Sequence, residues 1–478
     1  MRIAPLFPTT SPSSLTTETL HSCSATAVPW ARSSTRRQRS RSCAPGPRSV
    51  GTTFQPGRRR RKFSTTSKSD VRISKRTAHA SSTGSWRMWR VSADTPLAGV
   101  VVVSMEQAIS APFASRQLAD LGATVIKVER AEGDFARHYD SIVSGSSAFF
   151  VWANRGKHSV AIDIDAPGAA RILEELIAGA DVFLHNLSPD AAARRHLDVT
   201  SLHARFPHLI ACEISGYGLG GPRTADKAYD LAIQAEAGVF SVTGDDGMSK
   251  VGFSVADISS GMYALSSILA ALVKRDRTGE GSAISISMLD CLAEWVSAPM
   301  YAAVYGGTQA PRTGRRHHAI APYGTFTLSD ESTLLIAVQS DREWQDMAVH
   351  LLQSPDLGTD PRFATNADRI RNVDDLEAIV NATLASLSPD EARARLAAGR
   401  IAVAHVNDLH GVWEHPQLRA RHHFHSVLTA HGDIEMIDAP FGFLEEFPTP
   451  DWIPALDQHD PNVLARVRAR GAEVLGDQ

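Results

Sequence analysis

Asp257 stands in the run Lys250-Val-Gly-Phe-Ser-Val-Ala-Asp257-Ile-Ser-Ser-Gly261, between an apolar strand-like segment and an apolar helix-like one. A carboxylate at the first turn of a helix meets free N–H groups and the positive end of the helix dipole. It can be held ionised in a cleft there and used as a nucleophile. The same position also suits an N-cap aspartate with no chemistry of its own. Ser254 and Ser259 have no evident histidine partner at a hydrolase elbow, which argues against a serine thioesterase. The groups Arg315-Arg-His317-His318 and Arg421-His422-His423-Phe-His425 offer imidazoles but lack acidic or cysteine co-ligands. They read as basic surface, solvated or facing substrate, rather than as a metal site. Gly216-Tyr-Gly-Leu-Gly-Gly-Pro222 mimics a phosphate loop, yet its spacing is not that of a dinucleotide fingerprint, and it reads as a turn shaping a cleft.

The elements that must hold these residues alternate. Apolar runs at 100–104, 124–128, 159–162, 182–185 and 209–214 read as strands, with helical patterns such as 112–121 and 167–177 between them. That alternation predicts βαβ units and a parallel sheet. A helix over about 258–274 has apolar residues on nearly every side, so it is expected to be buried, with Asp257 at its N-terminus. Residues 283–289 read as a further strand and 290–304 as a helix, before a polar, glycine-rich connection through Gly307, Pro311 and Gly314. A second unit follows, with a strand at 334–338 and helices around 344–352, 373–387 and 389–398. The expected organisation is a basic N-terminal extension (1–92), a large α/β domain (93–305), a smaller domain with linkers (306–436) and a C-terminal segment (437–478).

The chain's formal net charge of -3 conceals an asymmetry. Residues 1–92 hold 18 of the 49 basic and 2 of the 52 acidic residues, which leaves a body of 31 basic and 50 acidic groups. An acidic body argues against nucleic acid as its partner. The arm is rich in Ser, Thr and Arg and cannot build a core. It reads as a start site placed upstream of the native one, an organellar transit segment, or a basic arm for an anionic surface. A cytoplasmic location is expected, or a mitochondrial one if the extension is a transit segment. Four cysteines without metal or disulfide spacing suit a reducing compartment. No run of about 18 uncharged apolar residues reads as a membrane span.

From Pro96 onward the chain resembles the class III CoA-transferases, the CaiB/BaiF family. The resemblance rests on Pro96-Leu-Ala-Gly-Val-Val-Val-Val, Ala111-Pro112, Leu121-Gly-Ala-Thr-Val-Ile-Lys-Val-Glu129-Arg130 and Asn154-Arg-Gly-Lys157-His-Ser-Val-Ala-Ile-Asp163. It continues through Asp181-Val-Phe-Leu-His-Asn186, Ile214-Ser-Gly-Tyr217, Ala228-Tyr229-Asp230-Leu, Thr243-Gly and Arg277-Thr278-Gly-Glu-Gly281. It implies a Rossmann-like parallel-sheet domain plus a smaller α+β domain, a C-terminal tail running back to the large domain, and dimers of interlocked rings. Asp257 falls on the family's catalytic aspartate. The implied chemistry moves CoA from an acyl-CoA to a free carboxylic acid through anhydride and aspartyl-CoA intermediates, with CoA thioesters as substrates and no permanently bound cofactor.

By motif position the resemblance assigns CoA binding to Arg130, Asn186, Arg194 and Lys227, with Lys157 and Arg223 as weaker candidates. Each also has a plain reading as a surface charge, a loop charge or a turn residue. Gln107, Tyr229 and Asp230 are placed in the substrate pocket, and Ala321-Pro-Tyr-Gly324 stands where related transferases carry a glycine-rich loop. Gln107 and Ile109 depart from the His and Gln of formyl-CoA:oxalate transferases, which puts formyl transfer in doubt. The family's α-methylacyl-CoA racemases have a His-Asp pair where this chain has Tyr229-Asp230. Tyrosine, with a pKa near 10, is a poor proton shuttle at neutral pH. Transfer is therefore the leading expectation, with succinyl-CoA and a small dicarboxylate such as succinate, mesaconate or itaconate, and racemisation is the alternative. An acyl-CoA-binding protein without catalysis would be expected to have lost Asp257.

Overall fold

In the computed structural model, residues 94–476 are described, apart from 445 and 446, and the basic extension lies outside them. The elements run β1 (Val101–Met105), α1 (Ser110–Asp120), β2 (Thr124–Glu129), α2 (Ala148–Ala153), β3 (Lys157–Ala161), α3 (Ala169–Ala178) and β4 (Val182–His185). Next come α4 (Pro189–Arg194), α5 (Val199–Arg205), β5 (Ile210–Ser215), α6 (Asp230–Glu236), α7 (Val239–Val242), α8 (Val255–Thr278), β6 (Ser282–Ser287), α9 (Met288–Trp295) and α10 (Ser297–Gly306). The strands β1 to β6 form one six-stranded sheet in the order β3-β2-β1-β4-β5-β6. Every pair is parallel, as the alternating sequence pattern requires.

Alternate residues of each strand feed two cores. Val102, Val125, Val182 and Cys212 pack under α1 and α8, whereas Val103, Ile126, Phe183 and Ala211 pack under α3 and α5. A parallel sheet covered on both faces needs apolar residues on both. By length and composition α8 could cross a membrane, but over half of its most apolar stretch is buried, and it packs against α1, α6, α9, β5 and β6. Its apolarity is that of a core helix. The expected 283–289 strand stops at Ser287, whose hydroxyl accepts from the Asp290 N–H and caps α9. The expected 290–304 helix is broken between Trp295 and Ser297 into α9 and α10.

The second unit contains β7 (Tyr323–Thr327), β8 (Thr333–Ala337), α11 (Asp341–His350), α12 (Asn366–Arg371), α13 (Val373–Leu384), α14 (Pro389–Ala398) and β9 (Ala402–His405). The strands β7, β8 and β9 form an antiparallel sheet with its own core around Trp344, Phe363 and Leu376. Capping boxes at Ser340/Glu343 and Ser388/Glu391 start α11 and α14. Next come α15 (Leu409–Trp413), α16 (Pro416–Ala420), the hairpin β10 (Phe424–Thr429) and β11 (Gly432–Ile437), and α17 (Pro461–Gly476).

The C-terminal segment meets the six-stranded sheet at its β3 edge. Gly156 donates to Trp452 O and Ser159 to Gln458 O, both at 2.9 Å, while the Trp452 indole donates to Lys157 O at 3.0 Å. The exposed strand edge is thereby covered. Helix α17 then lies on α3, where a side chain at Gly471 would collide with Glu175 O at 1.8 Å. Arg468 pairs with Glu175 and Arg470 with Asp181.

Candidate active site

Asp257 lies in the first turn of α8 and is half-buried. Residues 251–254, expected to be strand-like, form an irregular segment instead. Two side chains of α6 pin it. Gln234, fully buried, accepts the Val251 N–H at 2.9 Å and donates to Phe253 O at 3.4 Å. Asp230 Oδ1 accepts the N–H groups of Ala256 at 2.7 Å and Asp257 at 3.3 Å, and its Oδ2 accepts from Gln234 at 2.7 Å. Ser254, at the N-cap position, makes no capping bond, so Asp230 supplies the cap from a distant part of the chain. Burial, and then the Asp230 charge, push the Asp257 carboxyl up to about 7. A carboxylate so poorly solvated is a stronger nucleophile than one in water.

Gly261 is helical, one turn after Asp257. A side chain there would lie 2.8 Å from Ser110 O and 3.0 Å from the Phe113 ring, so its lack of one lets α8 press onto the start of α1. This brings the β1–α1 loop beside the Asp257 end of α8. The sheet order reverses between β1 and β4, and the crevice at such a point is where ligands of open α/β sheets bind. Asn186, just after β4, spans it. Its Oδ1 accepts from the Gln107 N–H at 3.0 Å, and its Nδ2 donates to Gln107 O at 2.8 Å and Ser110 Oγ at 3.2 Å. The amide assigned to cofactor binding is thus occupied in holding the loop, with Gln107 half-buried on it.

Beneath the loop is a buried ionic network. Lys157 Nζ reaches Glu106 at 2.6 Å, Asn154 at 3.0 Å and Pro112 O at 3.0 Å. Lys127 Nζ reaches Asp134 at 2.7 Å and Asn154 at 3.0 Å. Lys157 is fully buried, and burial, opposed by Glu106, pushes it down to about 7. Its Nζ is taken up by Glu106, Asn154 and Pro112 O and has no surface to offer a phosphate.

Arg130 and Arg194 are exposed and line neighbouring grooves, Arg130 in one just after β2 and β3 and Arg194 in one between α3 and α5. The larger, about 720 Å³, has Leu173, Ile177, Leu202 and Phe206 as apolar wall and Arg194 and Arg205 on its rim. The smaller holds Arg130 and Asp163, and both include Ile164 and Arg195. Arg195 is paired with Asp165 and Arg205 with Glu174, whereas Arg130 and Arg194 form no ion pair among the described residues. Lys227 is exposed two residues before Tyr229. Arg223 is held between Asp226 and Glu236 and lies over the Tyr217 ring.

Tyr229 is 71 % exposed at the start of α6. Tyr139, half exposed and not marked by any sequence motif, lies within electrostatic range of Asp257 and Tyr229. Burial raises its phenol, and the charges of Asp134, Asp257 and Tyr229 add to the rise. Phe135 and Phe149 flank its ring at 5.7 and 5.6 Å. The only available signal was the aromatic spacing between β2 and α2. Of the basic groups, Arg316 pairs with Asp374 and Glu377, His317 stacks on His318 and Tyr323, and His425 meets Asp438. No cluster of three metal-binding side chains occurs among the described residues.

The sequence pattern of CoA-transferase family III matches residues 97–460. Succinate--glutarate CoA-transferase of Agrobacterium fabrum is 31% identical over 337 residues, 68% of this chain and 84% of that one. Succinyl-CoA:glutarate CoA-transferase of Mus musculus is 33% identical over 61% of this chain and 67% of its own length. A solved CAIB/BAIF family protein from Brucella suis superposes with a TM-score of 0.70 at 31% identity, covering 78% of this chain and 99% of that one.

Proposed function

The chain belongs to CoA-transferase family III, and on that premise we propose that Asp257 is the nucleophile that moves CoA from succinyl-CoA or a similar thioester to a small dicarboxylic acid. The observation that carries this reading is the Asp257 carboxyl at the start of α8, on a turn that Asp230 caps, with its charged form disfavoured first by burial and then by the Asp230 charge. The Asp257 carboxylate attacks the donor thioester carbonyl, forming a mixed anhydride and expelling CoA thiolate. The thiolate attacks the aspartyl carbonyl, giving an aspartyl-CoA thioester and the free donor acid. The acceptor carboxylate attacks that thioester, and the thiolate then attacks the acceptor's carbonyl, releasing the new acyl-CoA and Asp257. Each step exchanges acyl groups of similar reactivity, so a cleft that excludes water conserves the thioester's energy.

Arg130, Arg194 and Lys227 are proposed to meet the CoA phosphates, since guanidinium and ammonium groups pair well with phosphate. The cycle uses CoA thioesters as substrates and needs no resident cofactor. Dicarboxylate acceptors are supported by the names of the relatives, which act on glutarate. Self-association is supported by α10, which buries none of its residues and exposes Tyr301, Val304 and Tyr305. A second copy covering that face would give a dimer. Incubating the protein with succinyl-CoA and a panel of dicarboxylates tests the reading. New CoA esters are expected, and deuterium uptake at the α-carbon of a branched acyl-CoA without transfer would replace it with racemisation.

A further inference from the structure

Asp134 is 97 % removed from solvent and bonds to two separate loops. One oxygen, Oδ1, accepts from Ala108 N at 3.1 Å and from Ala136 N at 2.9 Å. Ala108 lies in the β1–α1 loop with φ of 60°, a left-handed conformation that a residue with a Cβ resists. Ala136 is in the 3-10 turn Phe135–His138, which Asp134 caps and which leads directly into Tyr139. The other oxygen accepts from Lys127, and the Asp134 N–H donates to Glu129 at 2.8 Å, so the carboxylate is itself fixed from below. Two loops from different parts of the sheet are thus registered by a single side chain.

We propose that Asp134 is a positioning residue for transfer, holding Ala108 in its strained backbone and Tyr139 at the cleft so that both face the Asp257 end of α8. The proposal rests on the reading of Asp257 as the transferring group. Gly261 supplies the link, because it presses α8 onto Ser110, two residues beyond Ala108. A strained backbone held by a well-buried group is the kind of feature found at functional clefts.

The test compares the wild-type chain with Asp134→Ala/Lys127→Met, which removes both partners of the buried pair so that neither charge is left orphaned, and with the same variant carrying Ala108→Gly. Kinetics with succinyl-CoA and glutarate are measured beside hydrogen exchange of the 106–110 and 134–140 peptides. Without Asp134, kcat is expected to fall by about tenfold or more, since small misplacements at a reacting centre are costly. Both peptides should exchange faster. Ala108→Gly should restore part of kcat, because glycine adopts a positive φ freely. Unchanged kcat and exchange in the paired variant would overturn the proposal, as would a fall in melting temperature with kcat per folded molecule intact. A wild-type protein that makes no glutaryl-CoA or other new ester would instead count against the transfer reading, while exchange still judges Asp134 by itself.

Discussion

Asp230 Oδ1 accepts the backbone N–H of Asp257 at 3.3 Å, so the carboxylate that caps α8 is also the charge that raises its neighbour's pKa. Asp230 therefore fixes the position of Asp257 and adds to the rise that burial already imposes on its carboxyl.

Asp230→Asn keeps an oxygen for the Ala256 and Asp257 N–H groups but removes the charge. Asp257 should then ionise at lower pH, moving the acidic limb of kcat/KM downward. Asp230→Ala should show the same direction and lose in addition about 1 kcal/mol of helix capping. Rate profiles between pH 5 and 8, measured with thermal melts, separate the two effects.

Stability should depend on pH through Asp257. Its folded pKa, about 7, lies above the ordinary aspartate value. The native state therefore binds more protons than the unfolded chain between these values, and stability falls as pH rises through that window. Asp257→Asn should abolish this dependence and be more stable above pH 7, on the order of 2 kcal/mol after allowing for its partial exposure. Urea denaturation at pH 5 and pH 8 measures it, and an equal difference at both would contradict the assignment.

Gly261→Ala places a methyl group 2.8 Å from Ser110 O. Forcing α1 and α8 apart should cost about 1–3 kcal/mol. A melting temperature equal to that of the wild type would show that the helices separate without penalty.

Asn186 and Arg130 should behave differently although both were assigned to CoA. Asn186→Ala leaves the Gln107 N–H and O unpaired, which should cost about 1–3 kcal/mol of stability. Arg130→Ala, at an exposed site, should leave melting unchanged and raise KM for acyl-CoA about tenfold. Calorimetry beside steady-state kinetics distinguishes them.

The parallel sheet is legible because its strands are short runs of Val, Ile, Leu and Phe separated by helical patterns, and the place of Asp257 in the first turn of α8 because it precedes that helix's long apolar stretch. The segment 251–254 reads as strand-like in sequence but is irregular, since the Val251 N–H and the Phe253 carbonyl bond to the Gln234 side chain, a partner some twenty residues away that no local pattern marks. The hairpin β10–β11 escaped notice because its first strand holds part of the histidine-rich run that looked like basic surface. Asn186, Lys157 and Tyr139 show the same limit. Motif position assigned Asn186 and Lys157 to CoA, and only the tertiary arrangement shows that both hold structure, while no motif marks Tyr139 at all.

The most direct measurement is mass spectrometry of the protein with succinyl-CoA, searching for an aspartyl-CoA thioester on the peptide containing Asp257. The expected result is an adduct on that residue, discharged by added dicarboxylate with formation of its CoA ester and absent in Asp257→Ala. Turnover of normal rate in Asp257→Ala would contradict the account.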